Sequence, residues 1–416
     1  MTTAARHDPF YKSAPEEGHR PIPVGTDVLA DGTVFSPVMV LKASALAHNI
    51  AALHSYCDDN RVLVAPHGKT TMSPELINAQ LSAGAWAISA ATPAQVRAFW
   101  EFGVRRILLA NELVDPAGIA WIAQHLASHE QHEFFCYVDS LHGIHILEEI
   151  LGALDIAVRL EVLVELARQG TRTGVRTLAE AKQVARAAAE SPHLRLRGVA
   201  GYEGALVSNR EEESIEAVAS YCRFVTDAAA ALDEEQLFDG PDVILSVGGG
   251  AFFDIVVDVL KEAALPYSKP LPLIRPGCYI THDHGLYERI AAFAQPGSSR
   301  SLQPALEIWG RILSRPETGL AFADFGRRDV AFDQDMPVVL TVAGFKGEAR
   351  RPGDGFVITA LNDQHAFITL PADDPVKPGD WIGCGISHPC TTFDKWRHIP
   401  LVDDNYVVTG SVTTYF

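Results

Sequence analysis

The chain has 416 residues, with 34 Lys and Arg against 52 Asp and Glu, for a formal charge of −18. So acidic a chain argues against nucleic acid and anionic membranes as partners, because binding phosphate requires a basic face. At 47% hydrophobic and 21% charged, it has the balance of a soluble globular protein long enough for two domains.

Residues 1 to about 25 are polar and proline-rich, and are expected to wrap the surface or a neighbouring subunit. They lack the apolar centre of a signal peptide, and no later run reaches the length that spans a bilayer. The cysteines at 57, 136, 222, 278, 384 and 390 form no CxxC pair, so reduced thiols and a cytoplasmic location are expected.

Ser36 to Leu41 reads as a short strand and Ala43 to His54 as a helix. Eight short apolar runs then alternate with amphipathic stretches. They are VLVA (62–65), WAISA (86–90), RILLA (106–110), FFCYV (134–138), LEVLV (160–164), LRGVA (196–200), VILSV (243–247) and, weakest, GCYI (277–280). Ser73-Pro74-Glu75 and Thr92-Pro93 open helices that Gly84 and Gly103 close. Repeated strand–helix units over about 240 residues predict a (β/α)8 barrel, with an open doubly wound sheet as the competing architecture. Beyond about residue 295 the runs LEIWGRIL, VVLTVAG, GFVITAL and HAFITL are separated by turn-rich segments, which predicts an antiparallel β domain. The expected division is an arm and strand at 1–42 that joins the β domain, a barrel at 43–294 and the β domain at 295–416.

Four segments could carry chemistry. Lys69, in PHGKTTM, follows the first barrel strand, where an amine with a lowered pKa could act as a nucleophile or form a Schiff base; a plain surface lysine is the alternative. Gly248-Gly249-Gly250 ends a strand and opens a helix, so its amides could close around a phosphate; otherwise it is a tight turn. Arg172, between glycines at 170 and 174, could donate to an anionic oxygen or sit free in a loop. His388 and Cys390 flank a proline. If that segment is extended they share a side and could bind Zn²⁺, although an isolated HxC is more often structural. His282-Asp283-His284 is a second metal candidate, and His142 with His145 a weaker one.

Taken together these pieces resemble one family. PHGKTTMSPEL resembles the lysine motif of the D-threonine aldolase and D-serine dehydratase family, within the alanine-racemase-like, fold-type III group of pyridoxal phosphate enzymes. Arg172-Thr173-Gly174, VAGYEG (199–204), SVGGGA (246–251), RPGCY (275–279) and SHPCTTFDKW (387–396) resemble its further motifs, in the family's order. The resemblance implies pyridoxal phosphate on Lys69. Arg172 would meet the cofactor's phenolic oxygen, Tyr202 its ring, and Gly249, Gly250 and Tyr279 its phosphate. It implies a divalent metal on His388 and Cys390, zinc ahead of manganese or magnesium, and a homodimer with sites near the subunit boundary. Thr71-Met72 departs from the His-Lys of many relatives. Cys390 stands where aldolases carry Asp and dehydratase-like members carry Cys. The expected activity is therefore a dehydratase acting on D-3-hydroxy amino acids such as D-serine. A D-threonine-type aldolase is the alternative, and a racemase or a non-catalytic cofactor carrier is a weaker one.

Overall fold

The computed structural model describes residues 11–14, 20–154, 156–294 and 300–416. Most of the segment expected to wrap the surface lies outside the described residues.

Among the described residues eight parallel strands form one sheet: Leu63–Val64, Ile88–Ala90, Arg106–Glu112, Glu133–Val138, Leu160–Leu166, Leu194–Gly201, Asp242–Val247 and Lys269–Ile274. Each pairs with the next from Ile88–Ala90 onward, and Lys269–Ile274 returns to pair with Leu63–Val64. The two ends of this order meet at a parallel bridge between His67 and Ser89, where the Trp86 and Ser89 amides donate to Val64 and Pro66 at 2.8 Å each. That closure distinguishes the barrel from an open sheet.

The strands are apolar on both faces because both are buried. Leu108, Phe135, Tyr137, Leu163, Ala200, Ile244 and Leu273 pack together on one face. Their neighbours Ile107, Leu109, Phe134, Cys136, Val162, Val164, Val199 and Leu245 belong to the separate core that includes the helices. Thr92, Asp115 and Ser140 cap their helices through side-chain oxygens, and Thr177 with Glu180 forms a capping box. Ser73 stands at its helix start but makes no cap bond, donating instead to Glu75 at 2.7 Å.

The first seven apolar runs overlap the first seven strands, but the eighth does not. The last strand is KPLPLI, and GCYI is a loop containing the 3₁₀ turn Cys278–Ile280. Pro270 and Pro272 disguise this strand, since proline cannot donate to a ladder. Both lie on the side where the neighbouring strand is too short to need a donor: Leu63–Val64 reaches only Leu273 and Ile274.

Among the described residues the second sheet has ten strands and is mostly antiparallel. Its main path runs Arg351–Pro352, Val338–Ala343, Trp381–Gly385, Leu306–Glu317, Val38–Lys42, His398–Val402, Val408–Thr413. Val38–Lys42 lies in its middle, antiparallel to Leu306–Glu317 and parallel to His398–Val402, so the chain starts in this sheet before entering the barrel.

Candidate active site

Beyond Leu63–Val64 the chain turns through Gly68–Thr70. Gly68 is required by space, because a Cβ there would lie 2.6 Å from the Phe99 ring and 2.9 Å from Ile88. The His67 amide donates to Pro276 at 3.0 Å, fixing the turn against the loop that follows the last strand. Lys69 thereby lines a cavity of about 590 Å³, together with Asn111, Tyr137, Glu165, Tyr202, Gly248 and Arg275. These residues stand at or just past the C-terminal ends of barrel strands, the end where such folds build their sites.

Among the described residues, four of this lining hold a buried polar atom with no partner: His67 Nδ1, Tyr137 Oη, Glu165 Oε2 and Asp283 Oδ2. Buried polar groups are nearly always paired, so the cavity is built for a polar ligand. Arg172 stacks on Tyr202, its guanidinium carbon 4.6 Å from the ring centre, and both line the cavity. An amine, a guanidinium and an aromatic ring around one polar cavity suit pyridoxal phosphate.

The glycine loop holds an anion of the chain's own. The amides of Gly249 and Gly250 donate to Glu203 Oε1 at 2.9 and 3.3 Å. Burial pushes the Glu203 carboxyl above its usual range, and its other oxygen has no partner among the described residues. Gly249 has φ +75°, and a Cβ would fall 2.9 Å from Ile274, so that position accepts only glycine. Gly250 lines the cavity, and a Cβ there would be 3.0 Å from the Tyr287 hydroxyl. Tyr279 is buried outside the cavity lining and donates to Gln80 at 2.9 Å. The tyrosine beside the glycine loop is therefore Tyr287. Neither Glu203 nor Tyr287 was singled out from the sequence. The acid immediately after Tyr202 at a strand end was the available signal for the first.

His388 and Cys390 line the same cavity as Lys69. They meet for a reason other than strand alternation: Pro389 is helical and Cys390 begins the short helix Cys390–Phe393. His388 Nδ1 lies 2.6 Å from Asp333 Oδ2, and Thr391 donates to the other Asp333 oxygen at 2.7 Å. The Cys390 sulfur lies 3.4 Å from Cys278 and 3.3 Å from the Thr70 hydroxyl. Contacts with Cys278, His388 and Thr70 bring the Cys390 thiol down to about 4, and the Cys390 sulfur, with Asp333, lifts His388 to about 9. A thiolate beside an imidazole whose far nitrogen rests on a carboxylate is a donor set suited to zinc. Asp333 was invisible in the sequence, 55 residues from its partner.

Among the described residues, no group of three or more His, Cys, Asp or Glu converges as a ready cation site. This corrects the His282-Asp283-His284 reading. His282 Nδ1 is 2.9 Å from the Asp283 carbonyl, and Asp283 Oδ1 accepts from the Gly285 and Tyr287 amides. Asp283 does line the cavity, with its carboxyl raised by burial to about 6. His142 and His145 are exposed on the helix Leu141–Ala153, outside the cavity lining.

A barrel with a lysine, a glycine loop and an arginine at its strand ends, joined to a mostly antiparallel sheet, is the alanine-racemase-like, fold-type III pyridoxal phosphate architecture. Residues 41–259 match the family described as "Alanine racemase, N-terminal domain", more than half the chain, and the chain belongs to that family. Residues 305–402 match the "Putative serine dehydratase domain". The chain is similar to a D-threonine aldolase of Arthrobacter sp., 24% identical over 379 residues that cover 90% of each protein. Among solved structures, the D-threonine aldolase of Filomicrobium marinum superposes with TM-score 0.77 at 22% identity, covering 95% of this chain and 98% of that one. The D-threo-3-hydroxyaspartate dehydratase of Delftia sp. HT23 gives 0.73 at 20%, covering 92% and 98%. That dehydratase has also been solved as a histidine-to-alanine variant and as a metal-free cysteine-to-alanine variant, the two positions standing two residues apart.

Proposed function

We propose that the protein is a metal-assisted, pyridoxal-phosphate-dependent dehydratase that converts D-3-hydroxy amino acids such as D-serine to a 2-oxo acid and ammonia. One observation carries the reading: His388 and Cys390, with Asp333 behind the histidine, line the same cavity as Lys69. Their two-residue spacing is that of the histidine and cysteine replaced in the Delftia dehydratase variants.

When bound, pyridoxal phosphate supplies an electron sink for charge developing at the substrate's α-carbon. When bound, a divalent metal, zinc first, supplies a Lewis acid for the β-hydroxyl. The chain's own groups do the rest. Lys69 would hold the cofactor covalently, and its Nζ, when free, would take the α-proton. Arg172 would neutralise the cofactor's phenolic oxygen, and Tyr202 would flank its ring. Gly250 and Tyr287 would face the phosphate, while Glu203 braces the loop through the Gly249 and Gly250 amides. Tyr279 buttresses the site through Gln80, on the helix that follows Lys69. Asp333 orients His388 by accepting at Nδ1, which leaves Nε2 for the metal.

The reading includes a homodimer and a cytoplasmic location, the latter in keeping with free thiols throughout. Among the described residues no helix is long and apolar enough to cross a membrane. The second reading is an aldolase, favoured by the Arthrobacter relative that matches along 90% of the chain. Incubation with D-serine and D-threonine separates the two. A 2-oxo acid with ammonia supports the dehydratase, whereas glycine with an aldehyde replaces it by the aldolase.

A further inference from the structure

Cys278 has no part in the reaction outlined above, yet its sulfur lies 3.4 Å from that of Cys390. The two come from separate parts of the molecule. Cys278 begins the turn after the last barrel strand, and Cys390 begins a short helix in the second sheet's domain. Both line the cavity, whereas the cysteines at 57, 136, 222 and 384 are buried and do not. The contact is a thiol hydrogen bond, and the Thr70 hydroxyl stands on the same Cys390 sulfur at 3.3 Å. A disulfide needs about 2.05 Å, so the pair is reduced and about 1.4 Å short of bonding.

We propose that Cys278 and Cys390 are a redox modification site: a hydroperoxide that enters the cavity oxidises the Cys390 sulfur, and Cys278 then closes a disulfide on it. In the first step the Cys390 sulfur attacks one peroxide oxygen. The O–O bond breaks, the departing oxygen takes the electron pair and a proton, and Cys390 is left as the sulfenic acid. In the second step the Cys278 sulfur attacks the sulfenic sulfur. The S–O bond breaks, and the Cys278 proton leaves with the hydroxide as water. With hydrogen peroxide the sum is two thiols and one peroxide giving one disulfide and two waters, the sulfurs being oxidised and the peroxide reduced.

The surroundings favour this pair. Each sulfur is carried at the first residue of a short turn, not inside a long element, so small rotations bring them together. The segments that carry them are already joined, because the His284 amide donates to the Ile386 carbonyl at 2.9 Å. Closing the bond therefore costs little chain freedom. The Thr70 hydroxyl is placed to donate to the oxygen that leaves Cys390. The disulfide also takes from the site the sulfur assigned to the metal. That consequence rests on the proposed function, whereas the disulfide itself does not.

The test counts thiols in the full chain, first reduced, then freed of reductant and treated with hydrogen peroxide in the presence of a chelator. Two of the six thiols are expected to disappear together, with the peptides containing Cys278 and Cys390 joined in a non-reducing digest. Dithiothreitol should return both. In Cys278→Ser, Cys390 should instead be caught by a sulfenic-acid reagent and pass on to a form that dithiothreitol does not restore. Full labelling of Cys278 and Cys390 after peroxide overturns the proposal. So does wild-type Cys390 carried to sulfinic acid while Cys278 stays free, and neither reading needs the variant to fold. Because thiols are counted and not turnover, the result holds whichever lyase activity the protein has.

Discussion

Glu112 ends the strand Arg106–Glu112, and both its carboxylate oxygens are buried beside Glu165. Burial, and after it the negative charge of Glu165, pushes its pKa up to about 9. The folded chain therefore keeps a proton that an unfolded chain, with an ordinary glutamate near 4.5, gives up. Between those values the native state binds more protons, so stability falls as pH rises, by up to about 1.4 kcal/mol per pH unit. At pH 7 the loss amounts to about 3 kcal/mol. Glu112→Gln mimics the protonated acid and removes this dependence. Urea unfolding of the apoprotein and its variant at pH 5, 6, 7 and 8 measures it. The variant's advantage is expected to be about 1 kcal/mol at pH 5 and to grow to about 4–5 kcal/mol at pH 8. Parallel pH profiles for the two proteins, or a variant less stable at pH 8, would refute the reasoning.

Lys69→Ala should abolish turnover, and borohydride reduction of the wild-type holoenzyme should leave the cofactor on the peptide containing Lys69; label on another lysine overturns the assignment. Gly250→Ala, whose Cβ would meet only the Tyr287 hydroxyl, should weaken cofactor binding several-fold with little change in apoprotein melting, read by fluorescence titration and thermal scans. Gly249→Ala, at φ +75° and against Ile274, should instead lower stability by about 1–3 kcal/mol. Asp333→Asn should lower zinc affinity about 10–100-fold in a competition assay, by removing the charge that orients His388; unchanged affinity would leave Asp333 no role at the metal.

The sequence made the barrel legible because strands buried on both faces must be apolar along their length, and the helices between them carry local punctuation, read at Thr92, Gly84 and Gly103. It hid the eighth strand, whose two prolines are tolerated only because a neighbour is short. Lys69, Arg172 and the glycines were readable as motifs because each sits in a local turn. What could not be read was long-range pairing. Asp333 reaches His388 across 55 residues, Glu203 reaches the glycine loop across 46, and Cys278 reaches Cys390 across 112. Tyr279 shows the reverse limit: its motif was recognisable, but its direction depends on Gln80, which only folding brings near.

The central claim is that His388 and Cys390 hold a metal whose task is departure of the β-hydroxyl. It is tested by comparing D-serine with β-chloro-D-alanine on chelated and zinc-restored holoenzyme. Chloride leaves without Lewis-acid help. Chelation should therefore stop 2-oxo acid formation from D-serine, leave the cofactor's visible absorbance nearly intact and spare the chloro substrate; zinc should restore D-serine turnover. Full-rate D-serine turnover in chelated enzyme would contradict the metal role, and loss of both substrates together would assign the metal to the architecture of the site instead.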